Sequence, residues 1–261
     1  MEEACNIREF NTSQIKIIPF YDWHFGSSHC DENLMHRLIE EVRDNEDCYA
    51  LLGGDLIETA VYDGKINSVH GQRHQVQEQV EQLIELLKPI KDKILFSICG
   101  NHEFRIEKAT GLDISALIAL NLDVPYFKWE CDFLLKLQSR KNKSSSKNVH
   151  IYAHHGIGAG TTTGAKANSM EKLVGRAPFA DILFSGHTHG CMENRRLLRY
   201  LNKCGKRKEK LQYYISCGTL HASDGYAAMK AYSTQPTSAM LVDIYLTADD
   251  SMRCDSKIIF E

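Results

Sequence analysis

The chain has 261 residues, 43% apolar and 25% charged, with a formal net charge of −3 at neutral pH. That length and composition fit one folded globular domain, and no apolar run reaches the roughly 18 residues of a membrane-spanning helix. The charge gives no global pull toward nucleic acid or an anionic membrane, so any surface for such a partner would have to be local.

The opening "MEEACNIREFNTSQ" is polar and acidic, unlike a secretory signal. The first apolar run, "IKIIPFYD" (15–22), predicts a strand. "DENLMHRLIEEVRDN" (31–45) sets Leu34, Leu38, Ile39 and Val42 on one stripe behind Asp31, which predicts a capped helix. "CYALLGGD" (48–55) is a second strand. "QVQEQVEQLIELLKPI" (75–90) repeats Val76, Val80, Leu83 and Leu87 and predicts a helix closed by Pro89. Strand "KILFSICGNH" (93–102) and helix "DISALIALNL" (113–122) follow, then strand "VHIYAHHG" (149–156) and a short helix, "NSMEKLVGR" (168–176). "DILFSGHTH" (181–189), "LQYYISCG" (211–218) and "SAMLVDIYL" (238–246) read as strands.

Near-continuous apolar strands of this kind are buried on both faces, as in a sheet flanked by helices. Their alternation with helices predicts an α/β fold, and their closer spacing after about residue 120 predicts a second, mixed sheet. No internal repeat or linker divides the chain, so one domain over 1–261 is expected. Nine cysteines are scattered without a C-x-x-C pair, which suits free thiols in a reducing compartment; a cytoplasmic protein is the expectation. Two segments are locally basic, "SRKNKSSSKN" (139–148) and "RYLNKCGKRKEK" (199–210). Solvated hairpin tips are the plainer reading of them, and a phosphate-steering surface the functional one.

The strand ends carry the chemistry. They finish in Asp22-Trp23-His24, in Gly54-Asp55, in Gly100-Asn101-His102-Glu103, in His154-His155-Gly156 and in Gly186-His187-Thr188-His189. Five tips therefore offer Asp, Asn or His at the ends where α/β sheets place their sites. A structural zinc would need only four ligands, usually with cysteine sulfur. Seven or eight nitrogen and oxygen donors fit two divalent cations sharing one carboxylate better. Each tip alone is a weak signal, since a lone strand-end histidine is more often a hydrogen-bonded core residue. Five in series are not independent accidents.

The order D-x-H, G-D, G-N-H-E, H, G-H-x-H resembles the calcineurin-like metallophosphoesterases. The resemblance implies a sandwich of two mixed β-sheets flanked by helices, with the metal site at the C-terminal ends of the strands. It implies that Asp22, His24 and His189 hold one metal, that Asp55 bridges, and that Asn101, His155 and His187 hold the other; His154 is the alternative to His155. His102 would be the catalytic histidine that is not a ligand. Many members have G-D-x-x-D, whose second aspartate orients that histidine; Glu58 stands at that place here. The D-R-G run of protein Ser/Thr phosphatases is missing, because Asp55 is followed by "LIET", and Arg105 of "GNHEFR" is the arginine this chain supplies instead.

Two divalent ions, manganese first with iron, zinc, nickel or magnesium as the others, would lower the pKa of a shared water, and that metal-bridging hydroxide would attack phosphorus. His102 would protonate the leaving oxygen. Phosphodiester or nucleotide substrates, including nucleic acid, are expected from the long loops after Asp55 and His155. Those loops hold His70, Arg73 and His74 in one and Lys166 in the other. His221 is expected at the surface. A compact chain of this style also resembles phage- or prophage-encoded members. The competing readings are a phosphomonoesterase acting on protein or small molecules, and a non-catalytic binding module of the same fold.

Overall fold

In the computed structural model, residues 6–60, 72–158, 160, 162–222 and 236–260 are described. Twelve strands are β1 (Asn6–Phe10), β2 (Gln14–Phe20), β3 (Cys48–Leu52), β4 (Ile94–Ile98), β5 (Tyr126–Phe127), β6 (Glu130–Gln138), β7 (Ser146–His154), β8 (Ile182–Ser185), β9 (Cys191–Leu201), β10 (Arg207–Thr219), β11 (Ser238–Leu246) and β12 (Met252–Phe260). Five α-helices accompany them: α1 (Glu32–Asp44), α2 (Val76–Leu87), α3 (Asn101–Thr110), α4 (Ile114–Leu122) and α5 (Thr163–Val174). This is an α/β fold, as the alternation of elements predicts. None of the described helices is long and apolar enough to cross a membrane.

The strands form one mixed, curled sheet in the order β1-β6-β7-β8-β10-β11-β2-β3-β4-β5, with β9 on β10 and β12 on β11. Among the described residues, the strand ladder passes from one half to the other through the pairs Gly218–Ala239 and Thr219–Ser238. They close on each other around a core that includes Ile15, Ile17, Phe96, Phe133, Ile151, Phe184, Ile215 and Ile244. The side-chain period of 2 explains how one strand serves two cores. Ile15 and Ile17 of β2 point between the halves, while Ile18 and Phe20 meet α1, α2 and α4 through Leu34, Leu38, Leu83 and Ile118. On the far face, Tyr152, Leu183 and Tyr214 pack under Met170 and Leu173 of α5.

Strand direction decides where the site forms. β2, β3 and β4 are parallel, and so are β7, β8 and β10. β11 is antiparallel to both β10 and β2, so all six run the same way and their C-terminal ends collect along one edge. β6 and β9 run against them. The turns that join β6 to β7 and β9 to β10, which carry the two basic segments, consequently lie at the opposite edge. Both faces of β9 are exposed from Arg195 through Leu197 and again at its end, as a projecting hairpin requires.

The predicted strands and helices are present, and the differences are local. Asp31 caps α1 by accepting from the Leu34 amide at 2.9 Å, and Pro89 lies in a short 3-10 turn after α2. The sequence "NHEFRIEKAT", whose start reads as a strand end, is α3, beginning at a candidate ligand. Helix α5 starts at Thr163, inside the long loop expected after His155, because Thr162 caps it by accepting from the Ala165 amide. β1, β6, β9 and β12 add strands with exposed polar positions, which weaken the apolar signal.

Phe184 is fully buried between the sheet halves. Phe184→Ala is expected to lower the unfolding free energy in urea by about 3–5 kcal/mol, and a loss below about 1 kcal/mol would show that the two halves do not share this core.

Candidate metal centre

The tips of β2, β3, β4, β7 and β8 are stitched together by their own backbones. The Asp22 amide donates to the Gly54 carbonyl at 3.1 Å and the His24 amide to the Asp55 carbonyl at 3.0 Å, while the Asp22 carbonyl accepts from the Leu220 amide at 3.0 Å. Close approach explains the glycines. A Cβ on Gly54, whose φ is +88°, would come 2.5 Å from the Gly100 nitrogen, and one on Gly186 would come 2.4 Å from Asp22 Oδ2. The same crowding bends the candidate ligands. Asp22, His24, Asp55, His187 and His189 all have φ between 51° and 66°, five of the eight described non-glycine residues with positive φ. Each such conformation costs on the order of 1–3 kcal/mol, and residues held in it cluster at functional sites.

Three groups of donor atoms result among the described residues, with the atoms of each within 4.8 Å of one another: a first group Asp22–His24–His189, a second group Asp55–His155–His187, and His24–Glu58–His102, which shares His24 with the first. In the first, His24 Nδ1 faces Glu58 Oε2 at 2.9 Å, so with its proton there Nε2 turns a lone pair inward, 3.2 Å from His189 Nε2. Asp22 Oδ1 lies 3.6 Å from that His189 atom, and it is buried without a hydrogen-bond partner. In the second, His155 Nδ1 donates to the Gly53 carbonyl at 2.9 Å, which leaves Nε2 facing Asn101 Oδ1 at 3.0 Å and Asp55 Oδ2 at 3.3 Å. His187 Nδ1 lies 2.8 Å from the same Asn101 oxygen. The groups adjoin, since Asp22 Oδ1 is 4.0 Å from His155 Nε2. His154 enters neither: its Nδ1 accepts from the Gly156 amide at 2.9 Å.

The electrostatics describe a site short of positive charge. Burial raises the Asp22 carboxyl to about 8. Burial acts against protonation of His155, yet the Asp55 and Asp22 carboxylates beside it raise it to about 10. Asp55, which burial alone would raise, is held well below the usual carboxylate range by His155 and His102. Burial lowers His24 far below the ordinary imidazole range, and burial with His221 beside it also lowers His189, although that side chain is 37% exposed. The neutral imidazoles of His24 and His189, the orphaned Asp22 oxygen and the Asn101 amide oxygen, with His155 giving up its proton on binding, form a donor set that suits divalent cations.

Around these groups lie the other expected residues. His102 Nδ1 donates to the Glu58 carbonyl at 2.7 Å, its amide donates to Asp55 Oδ1 at 2.8 Å, and its Nε2 is 3.9 Å from Asp55 Oδ2. The family pattern leads one to expect the Glu58 carboxylate to orient this histidine. It reaches His24 instead and stays 3.5 Å from His102 Nδ1, so the carbonyl of the same residue does the orienting. Arg105, one turn along α3, places Nη2 2.8 Å from His102 Nε2. Burial lowers His102 to about 4 against the pull of Asp55, and Arg105 adds to the lowering.

Lys166 on α5 extends past Gly190, where an added Cβ would lie 3.4 Å from Nζ; it is half-buried and burial lowers its pKa. His74 stacks on Phe25, 6.0 Å between centroids, and faces Glu78 rather than either group. Arg73 pairs with Glu32, and His70 lies outside the described residues.

Two residues have more to do than the sequence suggested. Glu103 is buried and accepts the amides of Asp55 at 3.0 Å, Leu56 at 2.7 Å and Gly100 at 3.2 Å, tying the β3 tip to the β4 tip. The G-x-x-E spacing of a helix start was its available signal. His221, expected at the surface, is half-buried with its ring 5.1 Å from His24 and its Nε2 3.1 Å from Ser27 Oγ. The cause is the segment after β10, where a Cys30–His221 bridge carries it across the first group.

A sequence model of the calcineurin-like phosphoesterase family matches residues 22–191, which span both groups. Among curated proteins there is no match. Two solved structures show distant likeness. Vps29 of Chaetomium thermophilum is 11% identical, with 94% of this chain and 98% of that one covered and a TM-score of 0.37. A hypothetical protein of Thermus thermophilus is 10% identical, with 95% and 100% covered and a TM-score of 0.43.

The His189 side chain is 37% exposed, so removing it costs little packing. Asparagine adopts the left-handed region readily, so His189→Asn is expected to stabilise the metal-free protein by about 1 kcal/mol in urea unfolding while weakening manganese binding. A less stable metal-free variant would show that the backbone there is not strained.

Proposed function

Because this chain belongs to the calcineurin-like phosphoesterase family, whose metal-dependent phosphoester chemistry its two donor groups support, we propose that it is a phosphodiesterase acting on nucleic acid or nucleotides. The observation that carries the reading is the pair of adjoining donor groups with Asp22 Oδ1 buried and unpartnered between His189 and His155. In this reading Asp22, His24 and His189 would hold one cation and Asn101, His155 and His187 the other, with Asp55 shared between the two. Manganese is the first choice for a set of imidazole, carboxylate and amide ligands. Bound there, two cations would supply a more acidic water and positive charge for the phosphoryl oxygens.

The chain's own residues supply the rest. The Glu58 carboxylate fixes the His24 tautomer, and its carbonyl fixes that of His102, whose Nε2 is left for the leaving oxygen. Arg105 holds that nitrogen now. An arriving phosphoryl anion competes for the guanidinium, and as Arg105 turns to it the proton affinity of His102 Nε2 rises, as a proton donor to the leaving group requires. A diester brings one negative charge fewer than a monoester. Arg105 beside His102 and half-buried Lys166 beside Gly190 suit the smaller charge.

With manganese present, bis(4-nitrophenyl) phosphate is expected to be cleaved at least about ten-fold faster than 4-nitrophenyl phosphate. The reverse order would favour a phosphomonoesterase, and no cleavage of either by the metal-loaded protein would favour a binding module. His102→Ala is expected to lower kcat by roughly 10²–10⁴-fold with two metals per chain retained by elemental analysis, whereas Asp55→Asn should lose metal and activity together. Full activity in His102→Ala would remove its role.

A further inference from the structure

We propose that Phe104 and Trp129 form a stacking platform for a nucleobase at the rim of the metal centre, so that the ester processed there is nucleotidyl. The inference rests on the phosphoesterase reading and names the group its substrate carries.

Placement comes first. β4 and β5 pair with Ile98 beside Phe127, and the Cys99 amide donates to the Lys128 carbonyl at 3.1 Å. Trp129 comes next, level with Gly100, the residue before Asn101. On its other side it precedes Glu130, whose partner across the sheet is His154, the neighbour of His155. Trp129 therefore stands between the tip that carries Asn101 and the tip that carries His155. Phe104 lies in the first turn of α3, three residues after Asn101.

The two rings meet edge to face, with centroids 4.7 Å apart and planes at 85°. Lys128 Nζ sits 5.4 Å from the Trp129 ring centre, and Lys108 Nζ sits 4.7 Å from that of Phe104. Lys128 is itself held by Glu107 and Asp113, which fixes the cation beside the indole. Even so, Trp129 is 47% exposed, whereas Trp23 is 1% exposed. A large aromatic surface left half in water contributes little to folding and is available to a flat ligand. Phe179 is more exposed, at 61%, but it precedes β8 at the edge opposite the donor groups. Among the described residues, Trp129 alone of the exposed large apolar side chains combines an aromatic partner, neighbouring lysines and a place at the rim. A base stacked there would meet the indole face with its phosphate turned toward the metal centre.

The test compares AMP with ribose 5-phosphate, which carries a phosphate on the same sugar without the base, on the manganese-loaded protein by calorimetry. AMP is expected to bind about ten-fold or more tightly than ribose 5-phosphate, and to quench the fluorescence of Trp129 while buried Trp23 stays unchanged. Trp129→Ala should bring AMP down to the level of ribose 5-phosphate without altering the latter, and Trp129→Phe should keep most of the preference. Equal binding of the two ligands, binding of neither, or an AMP preference that survives Trp129→Ala would overturn the platform. Cleavage of bis(4-nitrophenyl) phosphate by the same wild-type preparation separates the two ideas. Cleavage without base preference removes the platform alone, and absence of cleavage removes the hydrolase reading.

Discussion

Atoms that repel one another are held together at one edge of the sheet, and the local structure follows from keeping them there. Asp22 Oδ1, His24 Nε2, His189 Nε2 and His155 Nε2 crowd within about hydrogen-bond to ion-pair distance, yet few protons lie between them. Taking such groups out of water costs free energy that only a compensating charge restores. In the protein without ions, protons on Asp22 and His155 do part of that work, as their raised pKa values show. Divalent cations would replace them with more charge and fixed geometry.

The scaffold tolerates this crowding because the strain is spread over elements that cannot relax. Six strands running in one direction bring five tips to one edge, and the inter-sheet core fixes the halves that carry them. Backbone bonds join the tips of β2 and β3, Glu103 joins β3 to β4, and glycines let the chains approach where a Cβ would collide. Left-handed backbone at Asp22, His24, Asp55, His187 and His189 is the local consequence. Arg105 on α3, Lys166 on α5 and Trp129 between β5 and β6 lie outside the donor groups.

Much of this was legible in the sequence because glycine followed by Asp, Asn or His at the end of an apolar run reports both a strand end and a tight approach. The tips of β3, β4 and β8 were readable for that reason, those of β2 and β7 from the Asp and His that end their apolar runs, and α1 and α2 from apolar stripes that keep the helical period. What stayed hidden depends on distance in sequence. His221 reaches the first group only through its bridge to Cys30, and Glu103 acts on amides 46 to 48 residues away. The division of labour within Glu58, carboxylate to one histidine and carbonyl to another, has no one-dimensional signature. β9 was missed because its exposed faces carry Arg195, Arg196 and Arg199 in place of an apolar run.

The central claim is that the two adjoining donor groups hold a pair of cations bridged by Asp55. Electron paramagnetic resonance of the protein loaded with two equivalents of manganese tests it directly. The account predicts the broad, multiline spectrum of two exchange-coupled ions in every chain. A spectrum of isolated manganese ions alone, or ions that pass freely through a desalting column, would contradict it.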